Sequence, residues 1–171
     1  IEFFNSSGIF VNSKKTVKGS VNEGGLRVPT IATWPSKIKA GSKSDHPSVF
    51  YDFFATMADI VGNPLPYPTD GISYLPTLVG EKQIKHDYLY WEFPEKQYKG
   101  QQAIRTDNWK GIKKNLLKGK SKLQLFNLED DPKEMNDLAE NYPEIVDKLE
   151  NLMEKAHTKA ALEKFNIPIL D

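Results

Sequence analysis

A pair of adjacent glycines in the segment Lys18–Pro35, KGSVNEGGLRVPTIATWP, constrains the fold of this chain more than any other feature. Glycine lets a backbone turn with positive φ or pass close to another group, which a residue with a Cβ does only at a cost. The glycines at 24–25 therefore predict a tight turn. Glu23 and Arg27 flank that turn and predict an ion pair that fixes it. The β-branched run Val28–Trp34 then predicts a strand that enters a sheet.

Hydrophobic periodicity divides the rest of the chain near residue 85. Residues Val49 to Val61 are amphipathic at helical spacing, and Gly62 is a natural stop for that helix. The stretch 63–80 is rich in proline and glycine, which predicts an irregular connection. After it the pattern changes to short strands, which predict an antiparallel sheet joined by turns. These strands are expected at 88–93, 101–105, 109–114 and 123–128.

Two helices are predicted after the last strand. Asp131-Pro132-Lys133-Glu134 has Asp at the N-cap, Pro at N1 and Glu at N3, which favours a helix start. A final helix begins at about Pro143, because apolar residues form one stripe from Ile145 to Ala156. The elements together indicate an α/β chain that ends in a small antiparallel sheet packed with a C-terminal helix.

Composition excludes several classes of function. Lys plus Arg and Asp plus Glu number 23 each, so no global charge favours nucleic acid or an anionic membrane. No apolar run approaches the roughly 20 residues of a membrane-spanning helix. The chain has no cysteine, which excludes disulfides, zinc–thiolate sites and thiol catalysis within it. His46, His86 and His157 are scattered, so no metal site is predicted among them.

A lysine-rich stretch follows the predicted third strand. Six lysines lie between Lys110 and Lys122, and the acidic run Glu129–Glu134 comes soon after them. Mixed charges in this order are typical of a solvated surface. We therefore expect a charged hairpin at the surface beside an acidic turn, and no phosphate-binding site.

The segment Lys18–Pro35 resembles the Lys-x-x-x-x-Glu-Gly-Gly-x-Arg-x-Pro segment of the sulfatase family, late in the catalytic domain of those enzymes. Further motifs resemble the same family and follow in the expected order over nearly the whole chain. Each motif is weak alone, and their fixed order makes the resemblance specific. They are Asp52-Phe53-Phe54-Ala55-Thr56, Asp70-Gly71-Ile72-Ser73, Leu75-Pro76-Thr77-Leu78, Tyr90-Trp91-Glu92-Phe93, Ala103–Lys110, Leu125–Leu128 and Asp131–Glu134.

The resemblance implies the C-terminal part of an alkaline-phosphatase-like sulfatase fold. Residues 1–84 would be the C-terminal end of the catalytic domain, and 85–171 the sulfatase C-terminal subdomain. The family's nucleophile motif, Cys or Ser followed by x-Pro/Ala-x-Arg, does not occur in the chain, and neither do the clustered Asp and Asn ligands of calcium. The chain therefore looks cut just after the last metal ligand. We expect calcium and formylglycine in the full-length family enzyme, no cofactor within this chain, and no activity from the chain by itself.

Lys18 is the catalytic residue that the resemblance assigns to this chain. In the family, the lysine at this spacing before Glu-Gly-Gly contacts the sulfate group, and its ammonium stabilises negative charge in the transition state. A solvated loop lysine is the alternative, given two further lysines at 14 and 15. Glu23 and Arg27 are assigned to structure, because a pair that fixes the turn explains them without catalysis.

Trp91, Glu92 and Glu95 are candidates for substrate binding. In the family the C-terminal subdomain leans over the active site, so these residues would line the mouth of the pocket. An aromatic face and carboxylates suit sugar rings and their hydroxyl groups. The alternative is an ordinary strand whose tryptophan points into the core.

The resemblance implies that the chain is part of a sulfuric ester hydrolase acting on a sulfated carbohydrate or an aryl sulfate. Two alternatives stay open: a stand-alone, non-catalytic carbohydrate- or partner-binding module derived from a sulfatase, and a phosphoester or phosphonate hydrolase fragment of the same superfamily. The interpretation as part of a longer sulfatase predicts an apolar face near Val28–Trp34 and Val49–Val61, where the missing N-terminal catalytic portion or a homo-oligomer partner would pack. Family habit favours a periplasmic, secreted or lysosomal protein. No nucleic acid and no membrane span are expected.

Overall fold

A computed structural model describes residues 8–10, 16–95, 99–119 and 121–171. The chain forms two compact units. One unit combines the N-terminal residues up to Val28 with Tyr88–Asp171, and the other is Pro29–Asp87. The break near residue 87 lies close to the boundary expected at 84–85, while the residues before Pro29 belong with the sheet. The assignment of 1–84 and 85–171 to two sulfatase domains stays a prediction.

The first unit is built on a four-stranded antiparallel sheet with the strand order β1-β2-β3-β4. Each strand lies within one residue of its predicted bounds, because alternation and turn residues are local signals that the sheet keeps. Side chains of successive residues point to opposite faces, so the sheet has two faces with different coverings. The strands are β1 (Leu89–Phe93), β2 (Gln101–Thr106), β3 (Trp109–Lys114) and β4 (Gln124–Asn127).

Helix α4, Pro143–Ala156, covers one face of the sheet as predicted. Leu149 of this helix is 0% exposed and packs with Ile104 and Leu125 of the sheet. Gly111 lies between those two residues in the strand register. A Cβ built on Gly111 would lie 3.2 Å from Cδ1 of Leu149, so the absent side chain lets the helix lie close to the sheet.

Residues 20–26 pack against the opposite face of the same sheet. This segment contains the short helix α1, Glu23–Leu26. Strand alternation directs odd-numbered residues of β1 and β2 and even-numbered residues of β3 and β4 to this face. The apolar cluster on this side contains Val21, Leu26, Trp91, Phe93, Ala103, Ile112 and Phe126.

The second unit contains two helices. Helix α2 spans Asp52–Val61 and ends at Gly62, which has φ +70° and terminates the helix as predicted. Helix α3, Leu75–Val79, lies in the stretch 63–80, for which an irregular connection was expected. Its proline is compatible with a helix because it lies in the first turn, where a backbone N–H would have no partner in the helix. Across the described residues, no helix is both long enough and apolar enough to span a membrane.

The polar side of α2 is buried. The Asp52 carboxylate accepts hydrogen bonds from the backbone N–H groups of Val49 and Ile72, both at 2.9 Å. Nε2 of His86 lies 2.8 Å from Oδ1 of the same carboxylate. One turn later, the Thr56 hydroxyl accepts a hydrogen bond from the backbone N–H of Tyr74 at 3.0 Å. Asp52 and Thr56 therefore fix the connection 72–74 to the helix.

The apolar side of α2 is exposed to solvent. Phe50, just before the helix, is 93% exposed, and Phe53, Phe54 and Val61 are exposed as well. A soluble unit normally buries the apolar stripe of an amphipathic helix and leaves its polar side in water. Helix α2 does the opposite, so the apolar surface expected at Val49–Val61 is present.

The strand predicted at Val28–Trp34 is wrong: these residues form no strand. Ile31 is 91% exposed, and Val28 is exposed too. β-branched residues favour a strand only where a neighbouring strand pairs with their backbone and other side chains cover them. The four paired strands of the described structure all lie between residues 89 and 127, so the β-propensity of this segment meets no partner strand.

Leu149→Ala should lower the free energy of unfolding by about 2–5 kcal/mol, because it removes buried methyl groups where α4 meets the sheet and leaves a cavity. The matched variant Leu162→Ala, at an exposed site, should change it by no more than about 0.5 kcal/mol. Urea denaturation followed by circular dichroism measures both variants. Equal losses would contradict the packing of α4 described above.

Candidate functional site

Lys18 begins a loop whose first residue is exposed and whose middle residues are buried. We name residues 18–27 the lysine loop. Lys18 itself is exposed, and the following Gly19 has φ +77°, a conformation that glycine adopts without strain. Residues 20–23 are buried on the sheet. The loop thus holds an exposed ammonium group on a buried anchor.

The second glycine of the pair allows a close backbone approach. A Cβ built on Gly25 would lie 2.2 Å from the carbonyl oxygen of Ser20 and 2.7 Å from that of Val17. No side chain fits at those distances, so the prediction that this pair lets the backbone pass close to another group is confirmed at Gly25. The backbone N–H of Gly25 donates to the Asn22 carbonyl at 2.8 Å, and helix α1 forms the turn.

Glu23 is buried and contacts a lysine of the sheet more closely than it contacts Arg27. Its Oε1 lies 2.7 Å from Nζ of Lys110. The predicted pair with Arg27 is present, but its shortest N···O distance is 3.7 Å and the Arg27 side chain is 54% exposed. An exposed ion pair contributes little, whereas attraction at short range in a buried site is strong. Lys110 is therefore the main partner of Glu23.

Lys110 is 0% exposed and lies between two carboxylates. Its Nζ is 2.7 Å from Glu23 and 2.8 Å from Oε1 of Glu134. The expectation that the lysine-rich stretch lies wholly at the surface is wrong here, because strand alternation turns Lys110 inwards on the same face as Ile112. Lys113 points to the other face and makes a partly exposed ion pair with Glu150 at 2.7 Å.

Glu134 reaches the lysine loop from a turn. Its Oε2 accepts hydrogen bonds from the backbone N–H of Glu23 and from Nδ2 of Asn22, both at 2.8 Å. The helix start predicted at Asp131–Glu134 is wrong, because Glu134 has φ +56° and the chain turns there. Asp131 still satisfies two backbone N–H groups that follow it, but as a turn and not as a helix cap. The buried contacts of Glu134 prevail over the local helix signal.

Three of the motifs that resemble the sulfatase family meet at this point. Glu-Gly-Gly supplies Glu23, Trp-Lys supplies Lys110, and Asp-Pro-Lys-Glu supplies Glu134. Arg105, from the same motif as Lys110, adds a longer contact to Glu23 at 3.9 Å. We name Glu23, Lys110 and Glu134 the buried ion cluster. These motifs therefore mark the internal anchor of the lysine loop.

The cluster extends through Asn22 to a second lysine of β3. Nζ of Lys114 donates to Oδ1 of Asn22 at 2.7 Å. Burial lowers the pKa of Lys114, and the neighbouring positive charge of Lys110 acts in the same direction, while Glu134 opposes them. Sequence reasoning missed Lys110, Lys114 and Glu134 as a group. The available signal was a lysine at 110 and 114 on either side of Ile112, at the period of two that marks one strand face.

The structure separates the predicted substrate-binding residues. Trp91 lies on the face that carries the lysine loop, packs in its apolar cluster, and has Nζ of Lys110 5.9 Å from its ring centroid. Glu92 lies on the opposite face, since successive strand residues alternate. Glu95 follows β1 and is exposed. Lys18 and Trp91 thus share a side of the sheet, Glu92 does not, and the substrate-binding role of the three residues stays a prediction.

Glu92 belongs to a chain of polar side chains beside α4. Its Oε2 accepts a hydrogen bond from the Tyr90 hydroxyl at 2.7 Å and lies 2.8 Å from Nδ1 of His157. Burial and the hydrogen bond to Glu92 both raise the pKa of Tyr90. Nε2 of His157 lies 3.4 Å from Asp171. His157 and Gln102 border an open groove of about 540 Å³, whose lining also includes Lys113, Asp147, Glu150, Asn151 and Glu154.

Metal ligation finds no support in the part of the chain that the structure describes, where no group of three or more His, Cys, Asp or Glu side chains could hold an ion. His86 is paired with Asp52, and burial lowers the pKa of His46. Calcium and formylglycine are expectations for a longer enzyme and stay predictions.

Lys110→Met should lower the free energy of unfolding by about 3–5 kcal/mol, because it leaves two buried carboxylates without their cation. Lys113→Met makes the same change in the same strand at a partly exposed ion pair, and should cost no more than about 1 kcal/mol. Thermal and urea denaturation measure the difference. Equal stability of the two variants would contradict the buried ion cluster.

Gly25→Ala should lower the free energy of unfolding by about 1–3 kcal/mol or more, because its Cβ would overlap two backbone carbonyl oxygens that cannot rotate away. Gly111→Ala is the matched control, since its Cβ would meet movable side-chain ends of Leu123 and Leu149. The control should lose less stability in the same denaturation experiment. A Gly25→Ala variant as stable as the wild type would contradict the close backbone packing at Gly25.

Comparison with known proteins gives one matching family and several relatives. The family described as "N-sulphoglucosamine sulphohydrolase, C-terminal" matches residues 17–159. The chain is 30% identical over 155 residues to an N-acetylgalactosamine-6-O-sulfatase of Bacteroides thetaiotaomicron, covering 83% of this chain and 29% of that protein. It is 32% identical over 162 residues to human arylsulfatase K, covering 87% and 30%. The chain thus spans about 30% of the length of these relatives.

Solved structures agree with this result. The structure described under "Metabolism of multiple glycosaminoglycans by Bacteroides thetaiotaomicron" superposes with a TM-score of 0.65 at 29% identity, covering 86% of this chain and 32% of that chain. The structure of Ps i-CgsB gives 0.66 at 31% identity, covering 78% and 29%. Ps i-CgsB is also known in complex with the oligosaccharide k-i-k-neocarrahexaose.

Proposed function

Because the chain belongs to the sulfatase family, as a C-terminal sulfatase domain with the alkaline-phosphatase-like fold, we propose that it is part of a longer sulfuric ester hydrolase. In that enzyme it supplies a sulfate-binding lysine, Lys18, and the subdomain that shapes the substrate pocket. The observation that carries the proposal is the lysine loop: an exposed ammonium group held on a buried and charged anchor.

The proposed chemistry of Lys18 follows from its charge. Cleavage of a sulfate ester builds negative charge on the sulfate oxygens and on the leaving oxygen. A fixed ammonium group close to those atoms stabilises the transition state more than the ground state, and such groups are worth about 10²–10³ in turnover. Lys18 needs to be accessible to a substrate for this role, and its exposed position provides that access.

The proposal of a longer enzyme has two supports. The chain spans about 30% of the length of the relatives reported above. The second support is the exposed apolar surface of the second unit, which includes Ile31, Phe50 and two phenylalanines of α2, Phe53 and Phe54. Apolar surface of this kind on a soluble protein marks a place where another surface packs. The proposed occupant is the N-terminal catalytic portion, which would also carry the formylglycine nucleophile and the calcium ligands.

The proposed substrate class is a sulfated carbohydrate. The similar proteins named above include an N-acetylgalactosamine-6-O-sulfatase, and another structure with a TM-score of 0.61 at 27% identity was solved with its substrate D-glucosamine-2-N,6-O-disulfate. On this chain, Trp91, Glu92 and Glu95 are the proposed contacts to the sugar. Family habit supports a periplasmic, secreted or lysosomal location.

Lys18→Ala in the full-length protein should lower kcat/KM for a sulfate ester by about 100-fold while the unfolding midpoint stays unchanged, because it removes charge stabilisation from an exposed position. Lys148→Ala is the control, since Lys148 is an exposed lysine of α4. Turnover of a sulfated sugar and of an aryl sulfate, with a phosphate ester as comparison, measures the effect.

Two results would contradict the proposal. Full turnover of Lys18→Ala would remove the sulfate-binding role of this residue. A native polypeptide of only about 19.4 kDa in its source, measured by intact mass, would contradict the longer enzyme and favour a stand-alone module that binds sulfated glycans. A stable monomer of that size would also mean that no second surface packs against the exposed phenylalanines of α2.

A further inference from the structure

The side chain of Gln101 forms a hydrogen bond with the lysine loop at Gly19, the residue that follows Lys18. Gln101 is the first residue of β2 and is 6% exposed. Its Nε2 donates a hydrogen bond to the carbonyl oxygen of Gly19 at 2.9 Å. Its Oε1 accepts a longer hydrogen bond from the backbone N–H of Val21 at 3.5 Å. One carboxamide therefore pairs with the loop backbone as a neighbouring peptide group would.

Along the chain, Gln101 contacts the loop closer to Lys18 than the buried ion cluster does. The cluster holds Asn22 and Glu23, which are four and five residues after Lys18. The bond from Gln101 instead holds the carbonyl group of Gly19, directly after Lys18. Gly19 has φ +77°, a conformation in which few other residues would be stable, so a fixed carbonyl there also fixes the direction in which the chain leaves Lys18.

The strand register places a second anchor of the loop beside Gln101. Gln101 pairs with Lys114 across β2 and β3, and both side chains point to the face that carries the loop. Gln101 holds Gly19 and Val21, and Lys114 holds Asn22 at 2.7 Å. Two neighbouring positions at one end of the sheet therefore hold successive parts of the same loop.

We propose that Gln101 is a positioning residue that sets the place of the Lys18 ammonium group relative to the sulfate ester. This inference rests on the proposed function of Lys18. A displacement of about 1 Å at a catalytic group costs about 10²-fold in rate when geometry is fixed by the protein. Gln101 acts through the backbone of Gly19 and needs no contact with the substrate.

A double-mutant cycle with Lys18 in the full-length enzyme tests the inference. Gln101→Met keeps the size of the side chain and removes both hydrogen bonds. Gln101→Glu keeps the shape and the acceptor, removes the donor to Gly19, and replaces the methionine variant if that one unfolds. Gln124→Met is the matched control, because Gln124 lies in the same sheet, two strands away from β2.

The expected result is a fall in kcat/KM of about 10-fold for Gln101→Met, mostly in kcat, with no fall for Gln124→Met. In the Lys18→Ala background the same change at Gln101 should have no further effect, because it acts only through Lys18. Amide hydrogen exchange should become faster at Val21 in Gln101→Met and stay unchanged in Gln124→Met.

Failure of this inference can be told apart from failure of the proposed function. If Lys18→Ala lowers kcat/KM but Gln101→Met equals the wild type, or the two effects multiply, Gln101 does not act through Lys18 and the inference is overturned. If Lys18→Ala has full activity, the proposed role of Lys18 is overturned and the inference falls with it. A loss at Gln101 that Lys18→Ala abolishes supports both.

Discussion

The buried ammonium group of Lys110 is the constraint on which the first unit depends. A charge without water must be neutralised and hydrogen-bonded, or the fold loses several kcal/mol. Glu23 and Glu134 provide that neutralisation from segments that lie 87 residues before Lys110 and 24 residues after it. A buried ion pair adds little net stability compared with apolar packing. What this cluster provides is geometry, since one position of the N-terminal segment on the sheet satisfies both carboxylates.

Local patterns in the sequence were sufficient to predict the sheet and its helix. The side chains of β2 and β3 alternate between the two faces of the sheet, which gives the strands a period of two. The apolar stripe from Ile145 to Ala156 has helical spacing and packs on one of these faces. The helix end at Gly62 and the close backbone approach at Gly25 could also be predicted, because glycine is the residue that a left-handed helix end or a close backbone contact favours. Family membership, inferred from the order of short motifs, was confirmed by the comparisons.

The sequence-based interpretation was wrong where a distant residue determines the conformation. Asp131-Pro132-Lys133-Glu134 carries a good helix signal. The carboxylate of Glu134, however, binds the backbone N–H of Glu23 and the ammonium group of Lys110, so a turn forms. Lys110 belongs to a lysine-rich stretch, yet its inward strand position buries it. The segment 28–34 has β-propensity, but none of the four described strands pairs with it. For Glu134 the deciding contacts come from residues far away in the sequence, and local helix propensity is a weaker term than the contacts of a buried charge.

The proposed catalytic role of Lys18 requires a mobile side chain in a fixed place. A lysine is flexible, and the backbone beneath it determines where its ammonium group can reach. The lysine loop meets this need by separating two tasks: Lys18 stays exposed to a substrate, while the sheet holds the loop through the buried ion cluster and Gln101. Gln101, Lys110 and Glu134, which hold the loop, lie in the C-terminal subdomain of the predicted division, and Lys18 lies in the predicted catalytic part. The subdomain thus contributes to the proposed active site through the position that it gives to the loop.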